Sequence, residues 1–348
     1  MTTVELMRQN IGDWVFITPI GNLKLSDAVN HEFKINRVLF VSREKLPRIR
    51  KRLGISVPFS EIKKSKHDKE FFEIAETYAV VRYKGNQAEM MTTCFMLVRD
   101  ELSILATSQL GYKFRRFTGY VGLLGEHRPT SAQYFLFKTG ESWKGQGWKL
   151  TRAPQVLVLD KRWKNYQRQA FFSKLLDILS GKIHVSDGWR KDLTRATILI
   201  GQSLNSTDVA NAFLWNMIAL ELLLTKQGDR YTDVLPKRIE AFLGWIGFWA
   251  SENYEERIRE AYRKRCDLVH RGDRDAITRR DLLFSDDLLL NVLINIVNYI
   301  KLFDSKEKII EFAEKVEAEH RLGQRSKVRP KRLRFFSRRY SEEDFEEI

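Results

Sequence analysis

A change in hydrophobic period near residue 160 is the feature that most limits how this chain can fold. Before it, β-branched and aromatic residues form short runs between turns that contain glycine or proline. After it, apolar residues such as Trp163, Tyr166 and Phe171 recur at helical spacing. The sequence therefore predicts an α+β protein, in which a β-rich domain at 1–160 is followed by an all-α helical bundle at 161–320.

The first domain is predicted to contain six strands, and no motif in it specifies a reaction. A sensing or regulatory role is the resulting expectation. Its segment Tyr112–Phe117 alternates aromatic and basic residues, which could bind a nucleic acid or a phage component, or could be core aromatics with surface charges. The predicted strands are Trp14–Thr18, Arg37–Val41, Tyr78–Tyr83, Phe95–Val98, Gln133–Phe137 and Val156–Leu159.

The helix that follows the cap signal at 206–208 is predicted to be the central helix of the bundle, because it is apolar nearly all round. Glu221 is the exception within it. A buried carboxylate needs a cation or several hydrogen bonds, and Arg265 is the candidate partner. The alternative is that Glu221 lies at the edge of the bundle and faces water.

The segment around Arg265 and His270 is the one place where the sequence suggests a chemistry. Tyr254, Ile258, Ala261, Tyr262, Leu268 and Val269 supply the apolar stripe of a helix that Gly272 ends. Among the six histidines, His270 alone has an arginine five residues upstream. Exposed carbonyls in the last turn favour an imidazolium there.

The spacing of Arg265 and His270 favours a site that two chains share. Positions five apart differ by about 140° around a regular helix, so the two side chains diverge unless the last turn deforms. Two copies of the motif that face each other across a twofold axis would bring an arginine and a histidine together. The sequence therefore predicts a homodimer or a higher homo-oligomer with a composite site.

The charge of the chain makes a polyanion the expected partner, since the formal net charge is +15 and the pI is near 9.7. Basic residues concentrate at 43–69 and at 321–339, and the second run interleaves arginines with aromatic residues. Residues 321–348 are predicted to form a tail that is first basic and then acidic. The tail is either a solvated segment or one whose acidic end folds back over the basic run and competes with RNA.

Several classes of protein receive no support from the sequence. Two cysteines without a Cys-x-x-Cys pair indicate a reducing, cytoplasmic setting, and the apolar stretch at 241–250 is too short for a membrane span. Neither a zinc-protease motif nor a phosphate-binding glycine loop is present, so no metal or other cofactor is expected. Asp286 and Asp287 are interpreted as helix-capping residues.

The helical part resembles the HEPN superfamily, in particular its ApeA-like branch. The resemblance covers residues 185–320 approximately. It consists of an apolar helix that ends in Ala219–Glu221, a helix that contains Pro236–Ile239, and the later segment Tyr262–Gly272 with the pattern Arg-x(4 to 6)-His. Members of this superfamily are helical bundles that commonly dimerise, and many are metal-independent endoribonucleases in toxin, CRISPR-associated or antiphage systems.

The resemblance implies a role for each residue of the motif. Arg265 would bind and polarise the scissile phosphate, and His270 would act as general acid or base. The position after the arginine is often polar in the family, and Cys266 departs from that pattern. The expected supporting residues are Glu221, Tyr262, Cys266 and Asp267. The expected RNA-binding residues are Arg263, Arg271, Arg329, Lys331, Arg332, Arg334, Phe335 and Arg338.

Two functions follow from the sequence as alternatives. The first is a HEPN-type endoribonuclease that leaves a 2′,3′-cyclic phosphate, used in antiphage defence or as a toxin, with a phage-derived trigger or partner protein. The second is a catalytically inactive HEPN-like module for dimerisation and RNA binding.

Overall fold

The chain forms two compact units. The first unit comprises Met1–Arg99 and Phe117–Asp160, and the second comprises Asp100–Arg116 and Lys161–Ile348. The first unit contains a five-stranded antiparallel sheet, whereas the second is built from helices, which confirms the predicted α+β class. The computed structural model describes residues 11–62, 66–124, 131–135, 146–150, 155–243, 253–323, 333–336 and 338–346.

The described elements up to residue 160 are β1 (Ile11–Gly21), β2 (Leu23–Leu25), β3 (Glu32–Ile35), β4 (Val38–Ser42), α1 (Leu46–Ile49), α2 (Phe59–Ile62), α3 (Lys66–Glu73), β5 (Thr77–Asn86), α4 (Gln87–Thr107), β6 (Gly122–Leu123), β7 (Ser131–Phe135), β8 (Gln146–Leu150) and β9 (Leu157–Leu159). The part of α4 from Asp100 onward belongs to the second unit. The main sheet of the first unit has the strand order β3-β4-β5-β1-β6, and two smaller sheets pair β2 with β9 and β7 with β8.

The centre of the main sheet is the long antiparallel pair of β1 and β5, in register from Ile11↔Asn86 to Ile20↔Thr77. β5 lies between β1 and β4, and its first five residues are all buried, so both of its faces are covered there. A strand covered on both faces reads as a continuous apolar run rather than an alternating one. The strands predicted within β1 and β5, and the one that overlaps β4, are confirmed.

The strand predicted at Phe95–Val98 is wrong, because this segment lies within the 21-residue helix α4. Cys94, Val98, Leu102 and Leu105 are buried, and their spacing follows one face of a helix. A short apolar run does not by itself distinguish a strand from a buried helix turn. The prediction at Gln133–Phe137 is met by β7 as far as Phe135, and its last two residues lie outside the described part of the chain.

Two helices form the centre of the second unit. Asp208 caps the first of them, α8 (Val209–Leu224), by accepting a hydrogen bond from the Asn211 amide, and the predicted position of this cap is confirmed. The second, α11 (Arg279–Asn298), is buried along most of its length and packs on α8. The described helices of this unit are α5 (Lys161–Gln169), α6 (Phe172–Leu179), α7 (Asp187–Asn205), α8 (Val209–Leu224), α9 (Tyr231–Leu243), α10 (Tyr254–Arg271), α11 (Arg279–Asn298), α12 (Lys306–Arg321) and α13 (Glu342–Glu346).

A buried ion pair joins the turn after α4 to this helical core. Arg115 donates from Nε and Nη2 to the two carboxylate oxygens of Asp286, at 2.8 and 2.7 Å. Its Nη1 donates to the Ser203 carbonyl on α7, and Asn216 on α8 donates to Asp286. The capping role expected for Asp286 and Asp287 is wrong, because both lie in the interior of α11, where backbone amides already have helical partners.

We predict that Gly201→Ala strongly destabilises the second unit. A Cβ atom at Gly201 on α7 would overlap with the Ser103 carbonyl of α4, and backbone cannot move aside as a flexible side chain can. Overpacking of this kind costs about 3 kcal/mol in the free energy of unfolding. Gly188→Ala on the same helix is the control, since its added Cβ meets nothing within 4 Å. Urea unfolding measures both, and equal stability of the two variants would contradict the prediction.

Candidate functional site

The helix that carries Arg265 and His270 is α10, and its sequence suits a helix at both ends. Glu255 and Glu256 lie in the first turn, and His270 and Arg271 in the last, which complements the helix dipole. Gly272 adopts a left-handed conformation, with φ 71°, and its amide donates to the Leu268 carbonyl. The predicted end of this helix is confirmed.

Arg265 is held by the carboxylate of Glu221 on α8. Arg265 Nη2 donates to Glu221 Oε2 at 2.9 Å, and Arg265 Nε lies 2.9 Å from Glu221 Oε1. The two side chains are only 18% and 10% exposed, so water screens the pair weakly. The predicted partner of Glu221 is confirmed, and the edge position that faces water is not observed.

Burial sets the protonation equilibria around this pair. It raises the pKa of the Glu221 carboxyl, although the charge of Arg265 and its hydrogen bond act in the opposite direction. Burial also raises the pKa of the Tyr262 hydroxyl, and the nearby Glu221 carboxylate adds to that shift. The Tyr262 ring lies 5.8 Å from the Arg265 guanidinium carbon. Glu221 and Tyr262 thus both lie close to Arg265.

Other residues predicted for the site lie on the outer surface of α10. Arg263 pairs with Glu256 at 2.8 Å, and Arg271 pairs with Asp267 at 3.3 Å, in each case with the arginine mostly exposed. Such surface pairs are weak and leave the cations accessible to a polyanion. Val269, expected in the buried stripe, is instead 48% exposed, because the stripe runs through Ile258, Ala261, Tyr262 and Leu268.

Arg265 and His270 lie on different sides of one regular helix. All residues from Arg265 to Arg271 are α-helical, so the last turn shows none of the deformation that would align the two positions. At about 140° of separation, Arg265 faces Glu221 while His270 is exposed at the helix end. Within a single chain, the Arg265 guanidinium and the His270 imidazole therefore face different surroundings.

The predicted RNA-binding residues near the C-terminus are engaged with the protein itself where the structure describes them. Arg334 donates to the Gln169 carbonyl and Arg338 to the Lys113 carbonyl, at 2.7 and 2.8 Å. Arg338 also lies over the Phe114 ring, and Phe335 is half-buried. Arg329, Lys331 and Arg332 lie outside the described residues.

Two asparagines of α11 hold the C-terminal segment, and sequence reasoning did not find them. Asn295 donates to the Arg334 carbonyl and accepts from the Arg334 amide, at 2.8 and 2.9 Å. Asn291 makes the same pair of bonds with the main chain of Phe336. Two amide side chains four residues apart in an apolar helix were the available signal, since buried amides need partners.

The next turn of α11 continues this contact with the C-terminal segment. Tyr340 donates to Asp287 at 2.8 Å. Burial raises the pKa of the Asp287 carboxyl to about 7, against the opposing effects of the Tyr340 hydrogen bond and the Arg338 charge. Arg334, Phe336 and Tyr340 therefore follow α11 in the reverse direction, because they bind Asn295, Asn291 and Asp287 in turn.

No protein-family model, curated protein or solved structure matches this chain. Within the described residues, no group of three or more His, Cys, Asp or Glu side chains could hold a metal ion. No helix in that part of the chain is long and apolar enough to cross a bilayer. The candidate site therefore rests on the geometry of α8 and α10.

We predict that Arg265→Ala lowers the free energy of unfolding by about 3 kcal/mol at pH 8, because it leaves the buried Glu221 carboxylate without its cation. The pKa of Glu221, already raised, rises further in this variant. The folded variant then binds a proton more strongly than the unfolded chain, so the loss of stability shrinks as the pH falls.

The control for this prediction is Arg263→Ala, which breaks an exposed pair on the same helix and should cost less than about 1 kcal/mol. Thermal unfolding of both variants at pH 5 and pH 8 measures the difference. A pH-independent loss of stability in Arg265→Ala would contradict the role of Glu221.

Proposed function

We propose that this protein is a metal-independent endoribonuclease of the HEPN type. The observation that carries the proposal is the pair of Glu221 and Arg265, which fixes a guanidinium on the helix whose last turn presents His270 to solvent. A positioned cation for a phosphate and an accessible imidazole for protons are the two groups that such a reaction needs.

The reaction follows from the chemistry of RNA. The 2′-oxygen attacks its neighbouring phosphorus, its proton passes to a base, and the bond from phosphorus to the 5′-oxygen breaks. An acid gives a proton to that leaving oxygen, which yields a 2′,3′-cyclic phosphate and a 5′-hydroxyl. Arg265 stabilises the negative charge on the phosphoryl oxygens. His270 exchanges the protons, and the residues involved require neither a metal nor another cofactor.

We further propose that the working site is formed by two copies of the chain. The divergence of Arg265 and His270 on α10 supports this arrangement, because a second copy can supply the imidazole that the first copy directs elsewhere. The exposed Val269 beside His270 offers apolar surface for such a contact.

The cellular setting is proposed from the resemblance alone. It is antiphage defence or growth arrest by a toxin in the cytoplasm, with RNA as the substrate and a phage-derived molecule or partner protein as the trigger. The net charge of +15 supports a polyanionic substrate.

One observation favours the second candidate, an inactive HEPN-like module that dimerises and binds RNA. Two nitrogens of Arg265 already lie 2.9 Å from the Glu221 oxygens, and a guanidinium that is neutralised in this way stabilises a phosphate less. Binding of RNA without cleavage would distinguish this module from the enzyme.

We predict that the purified protein cleaves single-stranded RNA in EDTA and leaves 2′,3′-cyclic phosphate ends. His270→Ala and Arg265→Gln should each lower the rate at least about 100-fold, since each removes a main catalytic contribution. His184→Ala is the matched control, because His184 is exposed and lies outside α10. Electrophoresis of end-labelled RNA measures the rates, and full activity of His270→Ala would refute the proposed role.

Mixing the two inactive variants tests whether the site is shared. In a mixed dimer, Arg265 of one chain and His270 of the other form one intact site, so mixing should restore part of the activity. A site contained within one chain gives no recovery. Energy transfer between differently labelled variants checks that mixed dimers have formed, and absence of recovery is then decisive against the shared site.

A further inference from the structure

The short acidic helix α13 lies on a cluster of arginines from separate parts of the second unit. Arg116 Nη1 and Nε lie 2.5 and 2.8 Å from carboxylate oxygens of Glu343 and Asp344. Arg280 lies 3.7 Å from Glu342 and stacks on the Phe345 ring at 4.4 Å. We call Arg116, Arg279 and Arg280 the arginine cluster.

Arg279 also contacts α13. Its Nη1 donates a hydrogen bond to the Phe345 carbonyl at 2.7 Å. Arg116 follows α4, whereas Arg279 and Arg280 form the first turn of α11. Three guanidinium groups thus converge on one five-residue helix. Guanidinium groups match phosphate oxygens in the same way as carboxylate oxygens.

The ion pairs between α13 and the arginine cluster differ in how far they are exposed to water. Asp344 and Arg116 have side chains only 4% and 15% exposed, so their pair is the firm part of the contact. Glu342, Glu343 and Arg280 are 80%, 71% and 71% exposed. Exposed ion pairs are weak and are screened by salt. A ligand with several phosphates can therefore compete for these arginines.

The segment that precedes α13 is anchored independently of the acidic residues. Asn291 binds the main chain of Phe336, Asn295 binds that of Arg334, and Tyr340 donates to Asp287. This anchorage keeps α13 at the cluster at a high effective concentration. Release of α13 does not require release of residues 333–340.

Two arginines of the cluster, Arg279 and Arg280, lie only a few residues after the end of α10. Residues 272–278 lead from the end of α10 to Arg279, so the Cα atoms of His270 and Arg279 are separated by at most about 30 Å. A single-stranded nucleic acid bound at one of these places can reach the other.

We propose that the arginine cluster is a binding site for the phosphodiester backbone and that α13 occupies it as an intramolecular competitor. The ligand class rests on the proposed ribonuclease function. The acidic helix covers arginines that precede the tail in the sequence, at positions 116, 279 and 280. Loss of its charge uncovers the site.

The test compares the wild type with Glu342→Gln/Glu343→Gln, which removes two exposed acidic groups and keeps the buried Asp344. The probe is a fluorescein-labelled oligodeoxythymidylate, whose missing 2′-hydroxyls prevent cleavage. Glu311→Gln/Glu314→Gln on α12 is the control, because it changes the net charge equally at exposed positions. We expect about tenfold tighter binding for the first variant at low salt and a clearly smaller change for the control.

A second pair of variants locates the gain in affinity. On the Glu342→Gln/Glu343→Gln background, Arg279→Gln/Arg280→Gln should abolish the gain, whereas Lys191→Gln/Arg195→Gln on the exposed side of α7 should largely preserve it. Thermal unfolding checks that each variant is folded.

Either of two results would overturn the inference. One is equal affinity of the Glu342→Gln/Glu343→Gln variant and its charge-matched control. The other is a gain that survives loss of Arg279 and Arg280. Because the probe cannot be cleaved, both results are independent of nuclease activity, and a protein that never cuts RNA can still pass this test.

Discussion

The ion pair of Arg115 and Asp286 is the interaction on which the packing of the second unit depends. Both charges are buried, and an unpaired buried charge costs several kcal/mol. The pair is tolerated because Ser203 and Asn216 satisfy the remaining polar atoms, and these residues come from α7 and α8. The turn after α4 and three helices must therefore all be in place together, and a helix that carries one partner cannot shift alone.

This constraint reaches the candidate site through α8. Asn216 and Glu221 lie on the same helix, about a turn and a half apart, so fixing the first also fixes the second. Glu221 in turn holds Arg265, and through it the middle of α10. The guanidinium is thereby ordered by two successive buried ion pairs, which limits the entropy that a bound phosphate would have to remove. The Glu221 carboxylate also neutralises part of the Arg265 charge. The contact that orients the guanidinium therefore weakens its attraction for a phosphate.

The sequence allowed the class of fold, the caps of α8 and α10, and the pairing of Glu221 to be predicted, because each has a local cause. A carboxylate in an apolar helix needs a partner, and a glycine after a basic last turn ends a helix. The helix at Phe95–Val98 and the partners of Asp286 were missed for the opposite reason. Tertiary contacts decide whether a short apolar run forms a strand or a helix turn. They also decide which distant cation pairs with a carboxylate, and neither choice leaves a local pattern in the sequence.

The C-terminal segment shows most clearly why composition could not identify the nucleic-acid surface. Its arginines suggested free cations, yet Arg334 and Arg338 donate to carbonyl oxygens of the helical unit. Its acidic residues suggested a solvated end, yet they lie on arginines distant in sequence. A net charge is a sum over positive and negative side chains, and it does not show which of them are already paired with each other. The accessible positive surface is therefore a property of the folded state, and in this chain it depends on where α13 lies.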